Sequence, residues 1–376
     1  MPGISGFMFA GTSKFAALAA AFILLVAGGF AQSGRVKPTP TPEEEPVRVI
    51  TEEVKVSFLA RDEAGRFVPD VKAEDLVILE NDLLHQATSV RRLPAYVLIV
   101  MDTGGELRAV KTLDQTRKTA AAVINSLRSG DQVAIMQYSD KAEIVSEWTD
   151  KKDESLAAIG RTKFGRRSSF TKALDLAREF MMQEGIENRH LVLITDGTDS
   201  FARGDMIRTT MRKILGTDIS VHVISYTRME TMDIAPRASG ISKSPPPKAL
   251  PDEIAAQLPP GARDVAQAPK IGPTIIVDRK HLRLMRERKK ELETAEDDLL
   301  TLAEDTNGTI VIPDTLDEMV EKARLIGQTI GSSYLLTYTP RVPFAERTGT
   351  RTVSITSKRA GLIVEARRKL IPGAAK

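Results

Sequence analysis

Tyr96-Val97-Leu98-Ile99-Val100-Met101-Asp102 is the stretch on which the fold turns. Its apolar residues run without a polar break and end on a carboxylate. A strand with one wet face alternates apolar and polar residues, whereas an unbroken run of this length suits a strand buried on both faces of a parallel sheet. The pattern recurs at Gln132-Val133-Ala134-Ile135-Met136 and at His190-Leu191-Val192-Leu193-Ile194-Thr195, the latter followed by Asp196. Further strands are expected at residues 142–148, as a hairpin partner of 132–136, and at 219–226 and 309–312. Between them, residues 110–127, 170–183, 205–215, 282–305 and 317–330 carry helical periodicity. Strands that alternate with helices predict a doubly wound, mostly parallel six-stranded α/β sheet of Rossmann-like type. Asn307-Gly308 closes the helix before the sixth strand, with Gly308 the expected left-handed cap.

Residues 228–279 break this rhythm. Pro245-Pro246-Pro247 and Pro259-Pro260 lie there among few large apolar side chains, so an irregular insert is expected. On either side of the α/β body the style is different again. Val54, Val56 and Phe58 alternate, Leu76-Val77-Ile78-Leu79 is a short strand, and Asn81-Asp82 is a turn. Residues 334–338, 350–356 and 362–367 alternate in the same way. Hairpins are not stable alone, so the two flanks are expected to join in one small β-sandwich with the α/β body inserted between its halves.

The amino terminus has Lys14, then an apolar run from Phe15 to Phe30, with Gly29 and Ala31 before Gln32. Charged, apolar and small is the order of a secretory signal. The richest part of the run falls short of the ~20 residues that span a bilayer comfortably, so export with cleavage is expected, to the periplasm or beyond. The rival is an uncleaved membrane anchor over residues 10–30. Lys37-Pro38-Thr39-Pro40-Thr41-Pro42 and Glu43-Glu44-Glu45-Pro46 then form a stiff, extended linker. The expected organisation is a signal at 1–31, a linker at 32–46, a first sandwich segment at 47–93, the α/β domain at 94–331 with its insert at 228–279, and closing strands at 332–371.

Composition narrows the function. The 376 residues are 42% hydrophobic and 27% charged, enough for a real core, and a net charge of +3 makes no case for nucleic acid. No cysteine is present, which removes disulfides, thiolate chemistry and cysteine-bound zinc. The four histidines show no metal-ligand spacing. There is no phosphate-cradling Gly-Lys loop and no Gly-x-Ser-x-Gly elbow, so neither an enzyme nor a small-molecule substrate is expected.

Asp102 and Asp196 follow two buried strands. In open parallel sheets ligands bind beyond the carboxyl ends of strands, where strand order reverses. With strand order 3-2-1-4-5-6 these two strands are neighbours at that point. Carboxylates with nearby hydroxyls make a hard oxygen site suited to Mg²⁺ or another divalent cation.

On these residues the sequence resembles the von Willebrand factor type A family and its metal-ion-dependent adhesion site. The family's Asp-x-Ser-x-Ser motif is matched by Asp102-Thr103-Gly104-Gly105-Glu106, with Gly104 and Glu106 in place of both serines. Ser168-Ser169-Phe170-Thr171-Lys172-Ala173-Leu174 resembles the family's Thr-x-x-x-x-Ala-Leu, so Ser168 keeps the loop hydroxyl. Leu193-Ile194-Thr195-Asp196-Gly197-Thr198-Asp199 carries the final aspartate. The flanks, and Gly331-Ser332-Ser333-Tyr334-Leu335-Leu336-Thr337-Tyr338-Thr339-Pro340, are similar to exported type A-related proteins common in acidobacteria.

The resemblance implies a binding or adhesion module that recognises a protein partner. In the family a residual positive charge at the metal captures a partner's acidic side chain. The implied ligands are Asp102, Glu106, Ser168 and Asp196 around Mg²⁺ or a similar ion, with Gly104, Arg166, Arg167 and Asp199 facing an extracellular or periplasmic protein. Glu106 as a ligand makes a three-carboxylate site; otherwise it caps the following helix. Arg166 and Arg167 beside Ser168 can repel a metal or attract an acidic partner in its place. The alternative function is a metal-independent structural or assembly component of the cell envelope. Arg203-Gly204-Asp205 is read as a helix start, the basic residues at 279–290 as a solvated helix face, Asp199 as a turn residue and Trp148 as packing near the sheet edge.

Overall fold

In the computed structural model, residues 52–105, 110, 112–242, 256–259, 261–268, 274–275, 279–343, 349–364 and 366–371 are described. The expected signal and linker, the first residues of the first sandwich segment (47–51) and Glu106 lie outside them. No helix among the described residues is long and apolar enough to cross a membrane.

Four strands precede the α/β body: β1 (Val54–Arg61), β2 (Leu76–Glu80), β3 (Leu83–His85) and β4 (Ser89–Arg91). The body opens with β5 (Tyr96–Asp102) and α1 (Leu113–Ser126). It continues through β6 (Gln132–Tyr138), β7 (Ala142–Thr149), α2 (Lys152–Gly160), α3 (Phe170–Met181), β8 (Arg189–Thr195), α4 (Gly204–Ile214) and β9 (Ser220–Ser225). Beyond them come α5 (Thr227–Ala238), β10 (Ile241–Ser242), α6 (Ala262–Gln267), β11 (Thr274–Ile275), α7 (Arg279–Asp305), β12 (Ile310–Val311) and α8 (Leu316–Gly331). The chain ends with β13 (Ser333–Tyr338), β14 (Arg351–Ser357), β15 (Ile363–Val364) and β16 (Ala366–Leu370).

The central sheet has the order β12-β9-β8-β5-β6-β7, parallel except for the hairpin strand β7, as the apolar runs predict. Its side chains sort by parity. Leu98 and Val100 join Leu191, Leu193, Val221 and Val223 against α3, α4 and α7. Val97, Ile99 and Met101 join Val192 and Ile194 against α1 and α8. Both faces are covered by helices, so the runs need no polar alternation. Where α8 crosses α1 the backbones come close, and a Cβ on Gly327 would lie 2.1 Å from Ser126 Oγ. Thr315 caps α8 through a 3.2 Å bond from the Glu318 amide, and Glu318 accepts from the Asp314 amide at 2.7 Å.

The flanking strands form two antiparallel sheets, β15-β1-β13-β4 and β16-β14-β2-β3, each drawing strands from both ends of the chain. Val54, Val56, Phe58 and Ala60, with Leu336 and Tyr338 beside them in the same sheet, share one core with Ile78, Val353 and Ile355 of the other sheet. Asn81 and Asp82 both have positive φ (48° and 67°), the geometry of the tight turn that joins β2 to β3. Residues 362–367, expected as one strand, divide between β15 and β16, which belong to different sheets.

Two further expectations are corrected. Residues 227–238 are helical where irregular chain was expected, because Ile234 and Ala238 find Met285 and Leu292 of α7 to pack against. Pro236 falls in the last turn of α5, where little of the helix is left to break. The left-handed residue after α7 is Asn307 (φ 58°), not Gly308. Gly308 serves close approach instead, since a Cβ there would lie 1.7 Å from the Val221 carbonyl oxygen. The Asn307 side chain in turn bonds the Ser57 carbonyl and accepts from the Arg367 amide at 3.0 Å, tying α7 to the sandwich.

Candidate functional site

β5 and β8 are adjacent, so Asp102 and Asp196 emerge side by side at the carboxyl edge of the sheet. Neither has any exposed surface. A buried carboxylate requires donors. Asp102 Oδ1 accepts from the Gly104 amide at 3.1 Å and from Ser168 Oγ at 3.3 Å. Its Oδ2 accepts from the buried Tyr226 hydroxyl, just past β9, at 2.8 Å. Asp196 Oδ1 accepts from the Thr198 amide at 2.9 Å and from its hydroxyl at 2.7 Å. Its Oδ2 accepts from Arg288 Nη2 at 3.0 Å.

Arg288 is the residue that sequence reasoning missed. The basic stretch at 279–290 was expected on a solvated face, and most of it is so placed: Arg283 pairs with Glu287 at 2.8 Å and Lys289 with Glu293 at 3.5 Å at the surface. Arg288 points the other way, with its side chain only 8% exposed. Its Nη1 also donates to Thr198 Oγ1 and to Glu291 Oε2, each at 2.9 Å. The available signal was its spacing from Met285, Leu292, Ala295 and Leu299, which share the inner face of α7.

The loop after β5 is zipped to the loop before α3. Gly104 bridges Gly165, and the Gly165 amide donates to the Thr103 carbonyl at 3.1 Å. A Cβ on Gly104 would lie 2.1 Å from the Arg167 carbonyl oxygen and 2.6 Å from Ser168 Oγ. The missing serine at this position is thus a packing requirement.

These contacts bear on whether the site suits a metal. The structure brings Asp102, Ser168 and Asp196 of the expected ligand set together, but Asp196 already holds a guanidinium, Asp102 holds a tyrosine hydroxyl, and Gly104 leaves no room for a further hydroxyl. Among the described residues no group of three or more His, Cys, Asp or Glu side chains could hold a metal ion. The expected Mg²⁺ site does not fit the described residues.

Residues 97–198, spanning both aspartates and the Ser168 loop, match the sequence model of the von Willebrand factor type A domain. Residues 97–198 carry the sequence of a von Willebrand factor type A domain. No curated protein matches the chain in sequence. Among solved structures it is similar to a von Willebrand factor type A protein from Catenulispora acidiphila, at 10% identity over 85% of this chain and 74% of that one, TM-score 0.40. It is also similar to BatB from Bacteroides thetaiotaomicron, at 15% identity over 63% and 98%, TM-score 0.35. A third is an aerotolerance-related membrane protein from Bacteroides fragilis, at 16% identity over 63% and 98%, TM-score 0.36.

The rim of this type A domain is cationic and aromatic. Arg166 and Arg167 are exposed, beside Phe164 at 64% and Phe201 at 49% exposure. The Arg167 guanidinium lies 5.4 Å from the Phe201 ring centroid and Lys172 Nζ lies 5.8 Å from it. Between residues 197–204 and α7 runs a cleft of about 580 Å³, lined by Ser168, Thr198, Arg203, Arg288, Glu291 and Thr294 among others.

Asp199, expected to face a partner, is 5% exposed. It accepts from the Thr171 amide and hydroxyl at 2.8 Å and from the Phe201 and Ala202 amides at 2.7 and 2.9 Å. It staples the Asp196 loop to the start of α3. Asp205 lies in the first turn of α4 and pairs with Arg208 at 2.7 Å, as a helix start should. Trp148, on the edge strand β7, packs between Tyr96 and Phe180.

Proposed function

We propose that this chain is an exported protein-binding module, not an enzyme, and that its type A domain captures an acidic partner at the carboxyl-end rim without a bound divalent cation. The observation that carries this reading is the exposed set Arg166, Arg167, Phe164 and Phe201 above carboxylates already held by Tyr226 and Arg288. Arginine and aromatic side chains provide most of the energy of binding surfaces, and clustered cations steer acidic partners toward them. With Asp196 neutralised from inside by Arg288 and Asp102 hydrogen-bonded to Tyr226 and Ser168, the charge that attracts an acidic partner comes from the rim. Export rests on the charged, apolar and small order at residues 14–31.

The test is fluorescence anisotropy with labelled peptides of alternating Glu and Leu, against alternating Lys and Leu, in EDTA. The acidic peptide binds, weakens with salt, and loses about tenfold or more in affinity in Arg166→Glu/Arg167→Glu. Binding that EDTA abolishes, or that ignores peptide charge, overturns the proposal. The envelope-scaffold alternative draws on the buried seam between sandwich and α/β body, where Arg368 donates to the Ile219 carbonyl at 2.8 Å and Ser57 meets Ser220 at 2.7 Å. On that reading the charge reversal changes nothing.

A further inference from the structure

α7 crosses the carboxyl edge of the sheet and carries one cation to Asp196. Arg288 meets Asp196 Oδ2 at 3.0 Å, Thr198 Oγ1 at 2.9 Å and Glu291 Oε2 at 2.9 Å. Asp196 is wholly buried, and a buried carboxylate is strongly destabilising unless hydrogen-bond donors or a positive charge lie against it. A bound ion or a side chain can supply that charge, but two cations at contact distance around one carboxylate repel each other strongly in a site shielded from water.

We propose that the Arg288 guanidinium is a tethered surrogate cation, filling the place of a divalent ion over Asp196 and making the top face independent of metal. The rest of the site agrees with this assignment. Asp102 accepts from neutral donors, the Tyr226 and Ser168 hydroxyls and the Gly104 amide. At Gly104, where an added hydroxyl ligand belongs, the Arg167 carbonyl leaves no space for a side chain.

A guanidinium differs from a metal in two ways that matter. It is held covalently, so chelators and changes in cation concentration cannot remove it. Its fixed planar donors also point at fixed acceptors, so unlike a metal it offers no exchangeable coordination position to a partner's carboxylate. The surrogate organises the floor of the site and fastens α7 to the sheet edge. The inference stands independently of the acidic partner proposed above.

The test is Mn²⁺ binding followed by electron paramagnetic resonance, together with thermal unfolding in EDTA and in excess Mn²⁺, on the purified chain. For the wild type all Mn²⁺ stays free and the Tm differs by no more than about 1 °C between the two conditions. In Arg288→Ala the Tm in EDTA falls by about 6 °C or more, because Asp196 and Glu291 lose their shared partner. Mn²⁺ then binds and restores part of that loss, since a cation can enter between the two carboxylates.

Retention of Mn²⁺ by the wild type, abolished by Asp196→Asn, overturns the proposal. So does an Arg288→Ala protein as stable as the wild type. A destabilised variant that no cation repairs also overturns it, reducing Arg288 to an ordinary ion pair. If Arg288→Ala does not fold, Arg288→Gln takes its place, and the wild-type Mn²⁺ measurement decides independently.

Discussion

Replacing Gly104 with serine restores a side chain that the type A motif carries elsewhere, and here it is expected to damage the protein. The added Cβ would lie 2.1 Å from the Arg167 carbonyl oxygen and 2.6 Å from Ser168 Oγ, where ordinary contacts begin at about 3.4 Å. The loop at residues 165–168 must therefore retreat by roughly an ångström, since the obstructing atom is backbone and cannot rotate away. That movement opens the bridge between Gly104 and Gly165 and stretches the bond from Ser168 to Asp102. Overpacking of this kind costs about 1–3 kcal/mol, and a weakened buried hydrogen bond adds about 1 kcal/mol. Together they amount to about 2–4 kcal/mol, or a Tm lower by roughly 5–10 °C in a domain of this size. Circular dichroism melts and urea midpoints of wild type and Gly104→Ser measure this directly, each in EDTA and in Mg²⁺. The variant is expected to melt early under both conditions, because Arg288 still covers Asp196. A Tm equal to that of the wild type would show that the loop yields freely, and a Mg²⁺-dependent gain would show that a hydroxyl alone restores a cation site; either refutes the reasoning.

Two more predictions concern the base of the sheet. His190 and His222 are fully buried, with Nδ1 of the first 3.0 Å from Nε2 of the second, and burial pushes His222 down to about 4 and His190 well below its usual range. The neutral imidazoles are kept by the folded state, while the unfolded chain takes up protons below about 6.5, so stability is lost as pH falls from 6.5 toward 4. For His222 this amounts to about 3 kcal/mol at the low end, and a Tm that does not fall over this window, or falls equally in His222→Asn, contradicts it. Arg368 is fully buried, held down to about 10 by desolvation, and donates to the carbonyls of Thr217, Ile219 and Thr306. Arg368→Ala leaves those carbonyls without their donor beside a cavity, costing about 4 kcal/mol or more and exposing β16 to hydrogen exchange; an unchanged urea midpoint would show that the seam does not depend on it.

Much of the candidate site was legible along the chain because its parts are local. A run such as Val97 to Met101 can be satisfied only with cover on both faces, and the residue that ends it must lie at the carboxyl edge. Asp102 and Asp196 are therefore legible at one edge of the sheet, and Ser168 joins them through the resemblance of residues 168–174 to the type A motif. Asp199 shows where local reading fell short: a polar residue after a strand suits a turn, but which way its carboxylate points depends on α3, whose Thr171 amide and hydroxyl it accepts.

The sequence alone determined the alternation of buried strands and helices and an aspartate at the carboxyl end of each of two strands, since periodicity and apolar run length follow from backbone geometry and burial. Tertiary structure alone decided what neutralises Asp196. Arg288 lies 92 residues beyond Asp196, amid a basic stretch in which its neighbours face water. Only the packing of Met285, Leu292, Ala295 and Leu299 fixes the rotation of α7, and that rotation turns one guanidinium among many inward. An ion pair at such separation has no local signature; it exists because packed helices bring distant residues within hydrogen-bonding distance.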